Sequence, residues 1–201
     1  MLDFFIQLAA MGLGYTLGTM LFSQVFMRLS DVLGHGSKGS FLPVTLRDYA
    51  RHFLPLLSLV LTGVPWIPIT YQKGEEPGRS QKVNAVLLLL VPAASLLLVS
   101  FVLTLLLKAV VLIPLAALAL ETIIRVLLLL LITSFLPLPP LPGWHVLMTL
   151  LERRPTNNFP WFFPSLLFGV FVLELLTKFV ILATFFGRLT DTLLQYLYLI
   201  G

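Results

Sequence analysis

Cysteine is absent from this 201-residue chain, and charge is scarce: only 11% of residues are Asp, Glu, Lys or Arg. The first absence excludes a disulfide framework and any thiolate metal site. The second stands beside 58% hydrophobic residues and a mean hydropathy of +1.00, and it excludes a soluble domain, because one soluble core cannot hide that much apolar surface. Histidine is nearly as rare, and His35, His52 and His145 are widely separated in sequence, without ligand spacing. The formal charge of +4 is scattered between apolar segments. It suits an orientation signal in a bilayer, not a nucleic-acid footprint, so nucleic acid is not expected as a partner.

Long apolar runs are what the chain does have. A membrane helix needs about 20 apolar residues, and four stretches meet that length: 4–27, 84–107, 109–136 and 163–186. The first follows a single acid, Asp3, and has neither a basic leader nor a small-residue cleavage site, so it reads as a retained helix. A fifth stretch, 52–69, is apolar but interrupted by Pro55, Gly63, Pro65 and Pro68, which suits a re-entrant or partly embedded element. The expected fold is an all-α integral membrane protein in one domain, with four spans and a five-span alternative. The C-terminal stretch, 187–201, sets Arg188, Asp191 and Gln195 among leucines and is expected as an interfacial helix, with contact to a partner as the alternative.

Basic residues fall mainly between the spans. Arg28, Lys38, Arg47, Arg51, Lys73, Arg79 and Lys82 lie in 28–82, and Arg153 and Arg154 in 137–162. If 52–69 does not cross, both loops share one side, which the positive-inside rule assigns to the cytoplasm, with Lys108 as an outer exception. The expected location is the bacterial inner membrane. The inner ends of spans one and three then reach the same face, where two helix ends can build one site.

Span three ends in the sequence Ser134-Phe135-Leu136-Pro137-Leu138-Pro139-Pro140-Leu141-Pro142-Gly143. Its prolines lack a backbone N–H and fix φ, so the helix stops and an irregular segment follows. Taken alone, such a run is equally well an ordinary helix stop. It also resembles the N-x-L-P-x-P-P-L-D-G motif of the site-2 proteases, intramembrane zinc enzymes that carry H-E-x-x-H on an earlier helix. Other stretches are similar to that family in the same order. Pro43-Val44-Thr45-Leu46-Arg47-Asp48 resembles its R-L-T-L-N-P strand, Gly63-Val64-Pro65-Trp66-Ile67-Pro68-Ile69 its G-W-x-x-P-V-P-V segment, and Val91-Pro92-Ala93-Ala94-Ser95 its G-P-x-x-N motif.

The resemblance implies a site-2-protease-like core without its chemistry. Counting back from Pro43 without gaps, the H-E-x-x-H positions fall on Phe22, Ser23, Gln24, Val25 and Phe26. The family's metal-binding histidines correspond to Phe22 and Phe26, its general base to Ser23, its third ligand to Pro142 and the motif's asparagine to Ser134. A catalytic zinc takes about three protein ligands and a water. None stands at these matching positions, so no peptidase activity, no zinc and no other cofactor is expected. A new metal site at His145 is conceivable, but an interfacial histidine explains that residue more simply.

Two ionisable pairs lie inside the expected spans, Glu121 with Arg125 and Glu174 with Lys178. Each acid reaches its base at i, i+4. Charges within spans face protein or water and mark functional candidates, although a pair can also simply neutralise itself and fix helix rotation. Gly14 and Gly18 form a G-x-x-x-G pattern that permits close approach of another helix, from this chain or from a partner. These six residues are the candidates for partner contact. The expected function is a catalytically inactive structural or adaptor subunit, with other integral membrane proteins and the lipid bilayer as partners. The alternative is a transporter or ion-conducting subunit that uses the two charged pairs.

Overall fold

The computed structural model describes residues 1–33, 53, 55–61, 63–67, 79–137, 141–151, 169, 173 and 181–200. These form helices α1 (Leu2–Val32), α2 (Arg79–Val110), α3 (Pro114–Ser134), α4 (Pro142–Leu150) and α5 (Ile181–Ile200), with a helical stretch at 55–61 and no strand among the described residues. The chain is an all-α membrane protein in which α1, α2 and α3 are each long and apolar enough to cross a bilayer. The 21 residues of α3 extend about 32 Å at about 1.5 Å per residue, close to the hydrocarbon thickness. Most of the fourth expected span, 163–186, lies outside the described residues.

α3 is the central helix. It packs against α1, α2 and α5, and Thr122, Ile123, Ile124, Val126, Leu127, Leu128 and Leu130 are all buried. A helix with apolar side chains around most of its circumference belongs inside a bundle, and α3 leaves only a narrow outer strip with Glu121 and Arg125. Pro114 starts it at the first helical position, where the missing N–H has no helical acceptor in any case. α2 accordingly runs on to Val110, and the connection to α3 is confined to 111–113.

α1 runs parallel to α3, and two glycines set the register. A Cβ on Gly14 would lie 3.2 Å from the Ile123 backbone and the Val126 side chain, and one on Gly18 would lie 2.5 Å from Leu130 Cδ1 and 2.9 Å from Leu127 Cδ2. As the numbers rise along α1 they rise along α3. Of the two uses open to the G-x-x-x-G pattern, the described contacts show packing within the chain, with Gly14 and Gly18 facing its own α3. Missing side chains let the two backbones approach, and α3 fills the groove with Leu and Val.

α5 differs from its expected form. An interfacial helix starting at Gly187 is replaced by one continuous helix from Ile181 to Ile200 that lies lengthwise against α3. Phe186 packs with Leu129, Ile132 and Leu136, while Leu194 and Leu197 pack with Ile124 and Leu128. The two helices are thus antiparallel. Phe186, Thr190, Leu194 and Leu197 recur at helical spacing on the packed face. The amphipathic pattern that suggested a membrane surface instead separates this packed face from an exposed one.

Candidate functional site

The register between α1 and α3 carries Phe22 to the level of Leu131 to Ser134, and Phe26 to the level of Phe135 to Pro137. The two sequence stretches that the resemblance pairs therefore end at one depth. Phe22 has no exposed surface and belongs to the main core with Tyr15, Leu59, Ile67, Leu96, Leu127 and Leu130. Phe26 packs on the same cluster, and its ring stacks on Phe22 with centroids 6.5 Å apart and planes inclined by 14°. Residues four apart share a helix face. Here that face presents two phenyl rings to the interior, and Ser23 beside them is half-buried.

A folded-back segment fills the space next to these rings. Residues 55–61 are helical, and this described stretch extends about 10 Å at about 1.5 Å per residue. Gly63 ends the turn with φ at 76°, a left-handed conformation that L side chains rarely adopt, and its N–H donates to the Leu59 carbonyl at 3.0 Å. The Ser58 hydroxyl donates to the Val64 carbonyl at 2.8 Å and holds the following extended residues against the helical turn. Val64, Pro65, Trp66 and Ile67 are all buried. Ile67 joins the Phe22 cluster, while Val64 and Trp66 join Leu141 and Phe186, so this segment lies between the α1 ring pair and the end of the proline run.

The proline run closes on itself. The Ser134 hydroxyl donates to the Leu131 carbonyl at 2.7 Å, completing the last turn of α3. Residues 138–140 lie outside the described residues. Beyond them Leu141 is buried, and Pro142 opens α4 in the position where a helix accepts proline most easily. A Cβ on Gly143 would stand 2.6 Å from the Phe135 carbonyl oxygen and 2.7 Å from that of Leu136, so only glycine fits where the loop returns to the end of α3. Pro142 is itself buried. α4 then packs Val146 against Ala85 and Leu89 of α2.

The groups brought together here are phenyl rings, aliphatic side chains, an indole and hydroxyls bonded to nearby carbonyls. Among the described residues, no three His, Asp or Glu side chains stand close enough to hold a metal ion. His35 and His52 lie outside the described residues, as does the side chain of His145.

A second constellation joins α3 to α5. Arg125 donates from Nε to Glu121 Oε1 at 3.0 Å, and its Nη2 lies 3.0 Å from the same oxygen. Its Nη1 donates to Asp191 Oδ1 on α5. One guanidinium thus serves two carboxylates. All three side chains remain between 41% and 51% exposed, so they lie in the outer groove of the bundle and not along an internal channel. The sequence marks the Glu121/Arg125 pair by its spacing, but Asp191 is 66 positions from Arg125 and carries no local signal. Lys108 makes a further link, donating from Nζ to the Tyr198 carbonyl near the end of α5 at 2.9 Å. Glu174 and Lys178 lie outside the described residues. No protein family, curated protein or solved structure matches this chain.

Proposed function

We propose that this protein is a catalytically inactive, site-2-protease-like membrane protein that serves as a structural or adaptor subunit of a larger complex, in the bacterial inner membrane. The observation that carries this reading is the Phe22/Phe26 stack. It occupies the helix face on which the resemblance implies two metal-binding histidines, and it is packed into the core without exposed surface at Phe22. Pro142, at the position of the third ligand, is buried as the first residue of α4. Zinc activates water through a site with an open coordination position. A packed aromatic pair supplies neither a ligand nor an opening, whereas it does supply rigidity.

The test is purification in mild detergent with metal analysis, a cleavage assay on membrane-spanning peptides, and mass spectrometry of co-eluting proteins. The expected result is a chain without stoichiometric zinc or cleavage activity that elutes with defined membrane partners. Stoichiometric metal with cleavage revives the protease. A lone metal-free monomer removes the subunit role.

One observation favours the transporter alternative: three ionisable side chains stand together in the outer groove along a spanning helix. Transport along them needs a hydrated path touching Glu121 or Glu174. Loss of flux in a Glu121→Gln, Glu174→Gln double variant supports that alternative, and unchanged flux eliminates it.

A further inference from the structure

α5 carries its acid in the least favourable place for a helix packed lengthwise on a spanning neighbour. It is 20 residues long, about 30 Å at about 1.5 Å per residue, and it covers most of the depth of α3, from Leu136 to Ile124. Asp191 stands at its midpoint, and Arg125, which it meets, stands beside the midpoint of α3. A crossing by both helices sets both charges at the deepest level, where a charged side chain costs most. Pairing offsets that cost for both at once.

The rest of α5 leaves little margin. It is not one of the three helices that are long and apolar enough to cross by themselves. On insertion scales one aspartate at a helix centre cancels about six leucines, and α5 also carries Arg188, Thr192 and Gln195. Arg188 lies nearer the proline-run end, and its long stem lets the guanidinium reach that membrane surface. Asp191 has no such reach. Arg188, Asp191, Thr192 and Gln195 recur at helical spacing along one exposed side, whereas Phe186, Leu194 and Leu197 are buried on another. A helix lying flat in the membrane surface has the same pattern.

Contact with α2 and α3 is what holds α5 lengthwise. Leu194 and Leu197 pack with Leu107, Ile124 and Leu128, and Lys108 donates to the Tyr198 carbonyl. At the midpoint, Glu121 holds the Arg125 guanidinium through Nε and Nη2, which leaves Nη1 to donate to Asp191. We propose that α5 is a dependent span: it crosses the bilayer only while docked on α3, and Arg125 is the positioning residue that keeps it there. Without Arg125, Asp191 is stranded at the bilayer centre, and α5 settles flat in the membrane surface on the proline-run side. The strip of Leu107, Ile124 and Leu128 is then uncovered.

The test uses the full chain in its membrane, with single cysteines in a sequence that has none of its own and a membrane-impermeant thiol reagent. Ile200→Cys is expected to react from the same side as Leu112→Cys. With Arg125→Gln, its reaction from that side is expected to fall by about tenfold or more, and to appear from the side of Asp31→Cys, while Leu112→Cys is unchanged. Arg125→Lys, which keeps the charge, is expected to retain the original side. Adding Asp191→Leu to Arg125→Gln removes the stranded charge and is expected to restore that side, which a general loss of packing would not allow. If Arg125→Gln stops the chain from accumulating, recovery on adding Asp191→Leu supports the proposal, and no recovery overturns it. It is equally overturned if Ile200→Cys reacts from the Asp31 side in the wild type, or keeps the Leu112 side with Arg125→Gln.

Discussion

Phe22 and Phe26 lie one helical turn apart, and the consequences of altering them follow from their surroundings. Phe22→Ala empties a fully enclosed position among Tyr15, Leu59, Leu96 and Leu127, and the expected loss is about 3–5 kcal/mol in reversible unfolding in detergent. The glycines give a graded series. Gly143→Ala drives a methyl into the Phe135 carbonyl, a backbone atom that cannot move aside, so it is expected to lower the melting temperature most. Gly18→Ala meets the ends of flexible leucines and is expected to cost about 1–3 kcal/mol, while Gly12→Ala has nothing within 4 Å and is expected to be neutral or slightly stabilising. A result in which Gly12→Ala proves as harmful as Gly143→Ala contradicts the packing described. The sequence marks Phe22, Phe26, Gly14 and Gly18 by spacing alone. It says nothing of Asp191 as Arg125's second partner, because ion pairs between distant segments depend on helix rotation and register that no local pattern encodes.

Helix existence was legible along most of the described chain, since apolar runs of membrane length have few alternatives to α-helix. The role of α5 was not. Its polar side looks the same in sequence whether the helix lies on the membrane surface or packs lengthwise on another helix, and only the packing of Leu194 and Leu197 on α3 separates the two. The short helix α4 was likewise hidden within an expected loop. It begins at a proline and spans nine residues, too few for a clear period. Lys108 provides a test of α5's placement. Its ammonium group holds a carbonyl in the last turn of α5, so Lys108→Met is expected to speed amide exchange at residues 196–200 and to lower stability by about 0.3–1 kcal/mol. Unchanged exchange there removes the link. The lack of native cysteine makes topology equally testable. The parallel register sets Leu2 and Leu112 at one end of the bundle, with Asp31 and Trp144 at the other. Single cysteines at 2 and 112 are expected to react with a membrane-impermeant reagent from outside, and those at 31 and 144 only after the membrane is opened.

The whole bundle presents two kinds of surface. Leu13 and Leu17 of α1, with Leu98, Val102 and Leu106 of α2, form exposed apolar faces suited to lipid, whereas α5 exposes a mixed surface with Asp191, Thr192 and Gln195 among Phe185, Leu189 and Tyr196. Between them the interior holds hydrophobic side chains and locally bonded hydroxyls, with Thr104 donating to the Ser100 carbonyl and Thr19 to that of Tyr15. This distribution suits a part that is rigid inside. The most direct test is native mass spectrometry of the chain released from membranes in mild detergent, with metal quantified in the same sample. A structural subunit is expected as a single assembly, heavier than one chain, that contains a second membrane protein and no stoichiometric zinc bound to this one. A zinc-loaded chain that cleaves membrane-spanning peptides, or a chain found only by itself, would contradict it.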